Sequence, residues 1–214
     1  SRNAMLGQKK YKHFTVDDWK KVCFSDESKF EAVVEKSTFV RRRPNEKYDL
    51  NCINSTVKYP PSVMVWSVIS SKGPGPLYFV EGTMNSAKYK SVLQNKLMPQ
   101  LGKWFKGTDN CTFMQDGAPC HTAKCIYKYL EYKKVKVLDW PGNSPDMNPI
   151  ENVWDYLKKE VAKSAPTTKE QLIAVLNSTW HNSPNINEMI QSCINSMPRR
   201  INALLQAKGK HTKY

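Results

Sequence analysis

Apolar positions alternate along the first half of this chain and recur every three to four residues along the second. From Val22 to Phe30 the pattern predicts a strand, with Val22, Phe24, Asp26, Ser28 and Phe30 on one face and Cys23, Ser25, Glu27 and Lys29 on the other. Further strands are predicted over Thr38–Arg43 and Ser62–Ser70, the second stopped by the turn-rich Lys72-Gly-Pro-Gly-Pro76 and followed by a short strand over Leu77–Val80. Asn85 can cap a helix in which Tyr89, Val92, Leu93 and Leu97 recur at helical spacing. A strand over Cys111–Gln115, a helix over Thr122–Glu131 and a strand over Val135–Trp140 follow. The loop PGNSPDMNP then leads to a helix striped by Ile150, Val153, Trp154, Leu157 and Val161. The last third reads as helical, with one face of Leu172, Val175, Leu176, Thr179 and Trp180 and another of Ile186, Met189, Ile190, Cys193, Ile194 and Met197. Strands first and alternation afterwards predict a mixed α/β or α+β sheet with helices packed on it. Residues 1–14 are polar and basic and read as a linker remnant with room for a short helix before Phe14, which leaves 15–214 as one domain.

Composition narrows the class. Of 214 residues, 40% are hydrophobic and 11% aromatic, enough for a sizeable core and too many for wholesale disorder. No apolar run approaches the roughly 18 residues of a membrane span. The opening SRNAMLGQKK is too polar for a signal peptide, so a soluble, intracellular protein is expected. The six cysteines include no C-x-x-C; Cys23 and Cys111 fall in apolar strands, and the spacing of Cys120, His121 and Cys125 fits no usual zinc pattern.

Charge adds a partner. Thirty-three Lys and Arg against 19 Asp and Glu leave a formal +14, which favours a polyanion, nucleic acid above all. A merely solvated basic surface is the plainer alternative. Membrane-surface binding finds little support, because no amphipathic helix carries a clean cationic face.

Three carboxylates stand in unusual places. Asp26 sits mid-strand on the face that should be buried, where an unpaired carboxylate costs several kcal/mol. A bound divalent cation would resolve this; so would an edge strand with a nearby lysine. Asp116 ends a strand at Asp-Gly, an ordinary turn pair, yet the carboxyl ends of strands are also where α/β sheets place their chemistry. In Asn148-Pro149-Ile150-Glu151, Glu151 can be the acid of a capping box, or it can flank the sheet, with Asp155 one turn on as runner-up. Taken together in a basic α/β protein, the three make an all-oxygen set suited to magnesium, with manganese as substitute. Two such ions roughly 3.5–4 Å apart can drive in-line displacement at a phosphodiester.

The segments FSDESKF around Asp26, QDGAPCHTA around Asp116 and LDWPGNSPDMNPIENVWDYLKKEV around Glu151 resemble the three catalytic blocks of the Tc/mariner cut-and-paste DNA transposases. Thirty-four residues separate Asp116 from Glu151, the interval of the Tc-type branch. VDDWKKV and the ending KGKHTKY are similar to the same branch, so the resemblance runs from about Thr15 to Tyr214. It implies an RNase H-like, retroviral integrase-type fold: a mixed five-stranded sheet flanked by helices, with extra C-terminal helices. It also implies a DDE-type enzyme in which Asp26, Asp116 and Glu151 are both the catalytic and the metal-binding residues. The activity so implied is cleavage at transposon ends and strand transfer into target DNA at a TA site. A homodimer on DNA and a nuclear location belong to the same expectation. For DNA contacts the charge and the resemblance offer Arg41, Arg42, Arg43, His121, Lys124, Lys158 and Lys159; His121 reads as a DNA contact or a neighbour supporting the acids, and about equally as a plain helix-start residue.

Two departures qualify the resemblance. No paired helix-turn-helix modules are visible, so DNA binding with little sequence preference is expected. The stretch KYPPSVMVW stands where many relatives carry glycines, which leaves that turn or DNA contact open. Two other readings remain: a host-adopted, non-catalytic DNA-binding derivative, and a retroviral-type integrase, against which the missing His/Cys zinc module and the thirty-four-residue interval count.

Overall fold

The computed structural model describes residues 11–33, 60–139 and 147–206. Its centre is the strand β1 (Val22–Glu31), paired antiparallel to β2 (Ser62–Ser70) and parallel to β5 (Thr112–Met114). On the far side of β2 lie two short pieces, β3 (Gly73–Pro74) and β4 (Tyr78–Val80); beyond β5 lies β6 (Lys136–Val137). Because β3 and β4 share one edge of β2, the described sheet has five strand positions and is mixed, as expected of an RNase H-like fold. β1 is therefore central rather than an edge strand, which removes the edge-strand explanation of Asp26.

Both faces of the sheet are buried, each by its own set of helices, as the period-2 alternation of β1 and β2 requires. Val22, Phe24, Phe30, Val63, Val65 and Ile69 face one core with Trp19, Trp154, Trp180 and Ile190. Cys23, Trp66, Val68 and Phe113 face the other, with Tyr89, Leu93, Leu97, Leu101, Ile126 and Leu130. The helices of the second core are α2 (Ser86–Val92), a π-helical turn over Leu93–Leu97, α3 (Met98–Phe105) and α4 (Lys124–Tyr132). Asn85 caps α2 by accepting from the Lys88 amide, and the helix widens just before Pro99, which has no amide to give the carbonyl four residues back.

The first core is roofed by α5 (Pro149–Ser164), α6 (Lys169–Asn182) and α7 (Pro184–Gln206), which pack on one another and on β1, β2 and β3. The short α1 (Val16–Trp19), fixed by a Thr15–Asp18 capping box, packs against α7. That box starts a helix after Phe14, where the sequence left room for one before it. Arg200 of α7 is buried and donates to Ser196 and to Asn152 of α5, so this member of a basic pair ties helices together. No helix among the described residues is long and apolar enough to cross a membrane.

Two elements are shorter than the pattern predicts. β6 spans only two residues because its partner β5 is itself short, although the Leu138 amide still reaches the Phe113 carbonyl at 2.8 Å. α4 begins at Lys124 rather than Thr122, because the amides of His121 and Thr122 fold back onto the Ala118 carbonyl in a tight turn. The strand predicted over Thr38–Arg43 and the end of the one predicted to Trp140 lie outside the described residues.

The turn between β3 and β4 is built on Gly75. Its amide donates to the Val68 carbonyl and its own carbonyl accepts from the Trp180 indole, each within 3 Å. A Cβ at this position would lie 2.6 Å from the Val68 carbonyl oxygen. Gly75→Ala is expected to lower stability by about 2 kcal/mol, read as a shift in the urea midpoint. An unchanged midpoint would show that the turn relaxes at no cost.

Candidate active site

Register sets the two aspartates on neighbouring segments of the sheet. Phe24 of β1 lies beside Met114 of β5 in parallel pairing, so Asp26, in the middle of β1, and Asp116, just past the end of β5, each follow two residues after the last paired position. Ser25 Oγ donates to the Met114 carbonyl at 3.0 Å and locks that pairing. Beyond Met114 the strands part: β1 runs on to Glu31 while the chain after β5 turns away.

Glu151 arrives from the other side on α5. Asn148 caps this helix, its Oδ1 accepting from the Ile150 amide at 3.4 Å and its Nδ2 donating to the Ser25 carbonyl at 3.3 Å. The Glu151 amide goes to the Asn148 carbonyl, so the side-chain-to-N3 bond of a capping box is not made. One turn on, Trp154 Nε1 donates to Asp26 Oδ2 at 3.1 Å. These two bonds seat the first turn of α5 against the residues that carry Asp26. Asp155 faces outward, exposed, with Lys158 Nζ 4.0 Å away.

The electrostatics of Asp26 follow from that seat. Burial first, then the negative charge of Glu151 and of Glu27, push its carboxyl up to about 8, against the smaller pull of the Glu27 amide and the Trp154 indole. A carboxylic acid held neutral near pH 7 beside other acids is the mark of a site short of positive charge.

Asp116 sits in the opposite condition. Its Oδ1 accepts from the Ala118 amide at 2.9 Å and lies 2.5 Å from His121 Nδ1. The histidine bond lowers its pKa, outweighing burial. The other ring nitrogen of His121, Nε2, lies 3.2 Å from Glu27 Oε1. The ring is 3% exposed and packs tilted against Tyr89, with centroids 4.0 Å apart and planes 33° apart. Tyr89 donates to Gln115 Oε1, and Gln115 Nε2 donates to the His121 carbonyl. Burial alone would depress His121, but the bonds and charges of Asp116 and Glu27 outweigh it and raise it to about 10. In this fold His121 supports the acids rather than lining an open surface.

The remaining expected contacts divide. Lys124, Lys158 and Lys159 are exposed, while Arg41, Arg42 and Arg43 lie outside the described residues. Sequence reasoning missed Glu27 and took Trp154 for core alone. A second charged residue in a strand buried on both faces was the available signal for Glu27.

Chemically, Asp26, Asp116 and Glu151 offer only oxygen donors, and the unfavourable charge on Asp26 is what a hard divalent cation would relieve, so the set fits such an ion. Among the described residues no three His, Cys, Asp or Glu side chains stand as a ready-made cage. Asp116 is held by His121 and Ala118, whereas Asp26 is held by Trp154.

Two measurements test these electrostatics without metal. The folded state keeps the Asp26 proton up to about pH 8 while the unfolded chain loses it near 3.8, so stability falls as pH rises between those values. Asp26→Asn is expected to gain on the order of 1–3 kcal/mol over the parent at pH 8 in chelator, with the gain shrinking toward pH 4. A difference that does not vary with pH would contradict the burial of this acid. Glu27→Gln is expected to lower the His121 pKa by about one unit or more, read from ring resonances in an NMR titration. An unmoved resonance would mean that Glu27 does not reach the ring.

Comparisons with known proteins agree with this architecture. A profile of the family described as DDE superfamily endonuclease matches residues 21–173. The Tcb2 transposase of Caenorhabditis briggsae is 34% identical over 94% of this chain and 73% of its own length. The Tc1 transposase of Caenorhabditis elegans is 32% identical over 92% of this chain and 71% of its own. Among solved structures, the mariner Mos1 paired-end complex with Mg superposes with a TM-score of 0.79 at 18% identity, and the one with Mn with 0.77 at 18%. The isolated Mos1 catalytic domain gives 0.74 at 18%, covering 99% of this chain and 93% of that one. This chain spans 64% of the Mos1 chain in either complex. Matched by the family profile over most of its length, and sharing about a third of its residues with Tc1-type transposases, the chain belongs to the DDE superfamily endonucleases.

Proposed function

We propose that this chain is the catalytic part of a cut-and-paste DNA transposase, cleaving DNA at transposon ends and joining them to target DNA, at a TA site, in the nucleus. The observation that supports the reading is the parallel pairing of Phe24 with Met114, two residues before Asp26 and Asp116, with Glu151 close enough to raise the Asp26 pKa. The +14 charge supports a DNA substrate. The Mos1 complexes with Mg and with Mn support a divalent cation, and their paired ends support a dimer on DNA.

In this reading Asp26, Asp116 and Glu151 hold the cations. When bound, magnesium or manganese supplies Lewis-acid stabilisation of the charge that develops on the phosphodiester oxygens. The protein contributes placement. Trp154 orients the Asp26 carboxylate, Asn148 fixes the start of the helix bearing Glu151, and His121 and Ala118 hold Asp116. Such fixed placement is where much of the catalytic advantage at phosphoryl centres arises.

The test is conversion of supercoiled plasmid to nicked circles by the chain with magnesium or manganese. Asp26→Asn, Asp116→Asn and Glu151→Gln are each expected to slow nicking by roughly a hundredfold or more while DNA binding stays close to the parent. Chelator should abolish nicking by the parent. A variant that nicks at the parental rate would remove its residue from the site.

A further inference from the structure

We propose that the solvent face of α4 is a track for an unpaired DNA strand leading away from the carboxylates, an inference that rests on the DNA-cleaving function above. Lys124, Tyr127, Lys128, Glu131 and Tyr132 fall at the i, i+3, i+4, i+7 and i+8 positions of this helix and share one stripe. The opposite stripe, Ile126, Tyr129 and Leu130, is buried in the second core. Tyr127 is 48% exposed and Tyr132 78%, and they are the exposed large hydrophobic side chains among the described residues. A core with room for Tyr89 and Tyr129 leaves these two rings outside, and both lie on the same stripe as two lysines.

The surroundings extend the pattern. Lys133, Lys134 and Lys136 continue past the helix end, all exposed, and Lys133 Nζ lies 5.2 Å from the centre of the Tyr132 ring. Glu131 is the one acid on the stripe. The track begins beside the site, because Ala123, the residue before α4, follows two residues after the His121 that holds Asp116.

Dimensions and chemistry select the occupant. At a rise of about 1.5 Å per residue, Lys124 and Lys128 are about 6 Å apart along the axis, comparable with one to two phosphate steps of about 3.4 Å. Lysines alone would serve a duplex as well. Exposed rings find base faces to stack on only where bases are unpaired, and interleaved aromatic and basic side chains are how single strands are held. Breaking a strand within a duplex creates such ends.

The test is binding of labelled oligothymidylate and of a mixed-sequence duplex to the chain, in chelator, across a salt series. Tyr127→Ala with Tyr132→Ala is expected to weaken single-strand binding by about tenfold or more and to leave duplex binding nearly unchanged. Lys124→Ala with Lys128→Ala should lower the single-strand salt slope by about 1.4, whereas the same charge change at Lys163 and Lys169 should not. Thermal melts of each variant establish that it is folded. Single-strand affinity unchanged in the tyrosine variant, or an equal loss for duplex, overturns the track. A parent chain that binds neither DNA would instead overturn the DNA-cleaving function on which the track depends.

Discussion

Asp26 and Glu151 are two acids pressed toward each other in a half-buried position, where burial and the Glu151 charge keep the Asp26 proton on, and the first core exists on terms that keep them there. Left to itself α5 would roll or shift to separate them. It is prevented by the buried stripe Ile150, Val153, Trp154, Leu157 and Val161, each side chain contributing about 1.5–3 kcal/mol on burial. Even where Asp26 ionises, repulsion between two partly screened carboxylates is of the order of a few kcal/mol, less than this stripe contributes. Arg200 adds a further tie from α7 to Asn152, the neighbour of Glu151. The helices beyond the sheet therefore act on the site, by denying the acids their escape.

A second constraint acts across the sheet. Adjacent residues of a strand point to opposite faces, so Asp26 meets α5 while Glu27 meets His121 on the other side. Through His121, Glu27 is linked to Asp116. One dipeptide at the centre of β1 thus references both walls of the site: the helix wall through Trp154 and the loop wall through the imidazole. Tyr89 packs on that imidazole and Gln115 holds the His121 backbone, which carries the reference down to α2 and the end of β5.

Much of this was legible from the sequence where periodicity speaks. β1 and β2, the stripe of α5 and the Asn85 cap all stand close to where alternation or helical spacing puts them. The unease of Asp26 was legible too, since a carboxylate on an apolar strand face needs a reason. What the sequence hid were contacts between distant segments. Nothing local to Trp154 says that its indole points at a carboxylate 128 positions earlier, nor that His121 bridges two acids. The capping box at Asn148 went unmade for a similar cause, because the asparagine amide was drawn to a carbonyl on β1. The short β6 likewise reflects its neighbour's length more than its own residues.

The two-sided use of β1 makes this strand a ratchet with a tooth of one residue. Losing or gaining a single position upstream of Asp26 would hand the aspartate to His121 and the longer glutamate to α5, reversing the assignments of both walls at once. A change of two would restore the facing but carry the acids about 6.6 Å along the strand, out of step with β5. The count of residues within β1 is therefore fixed by what each of its faces must meet.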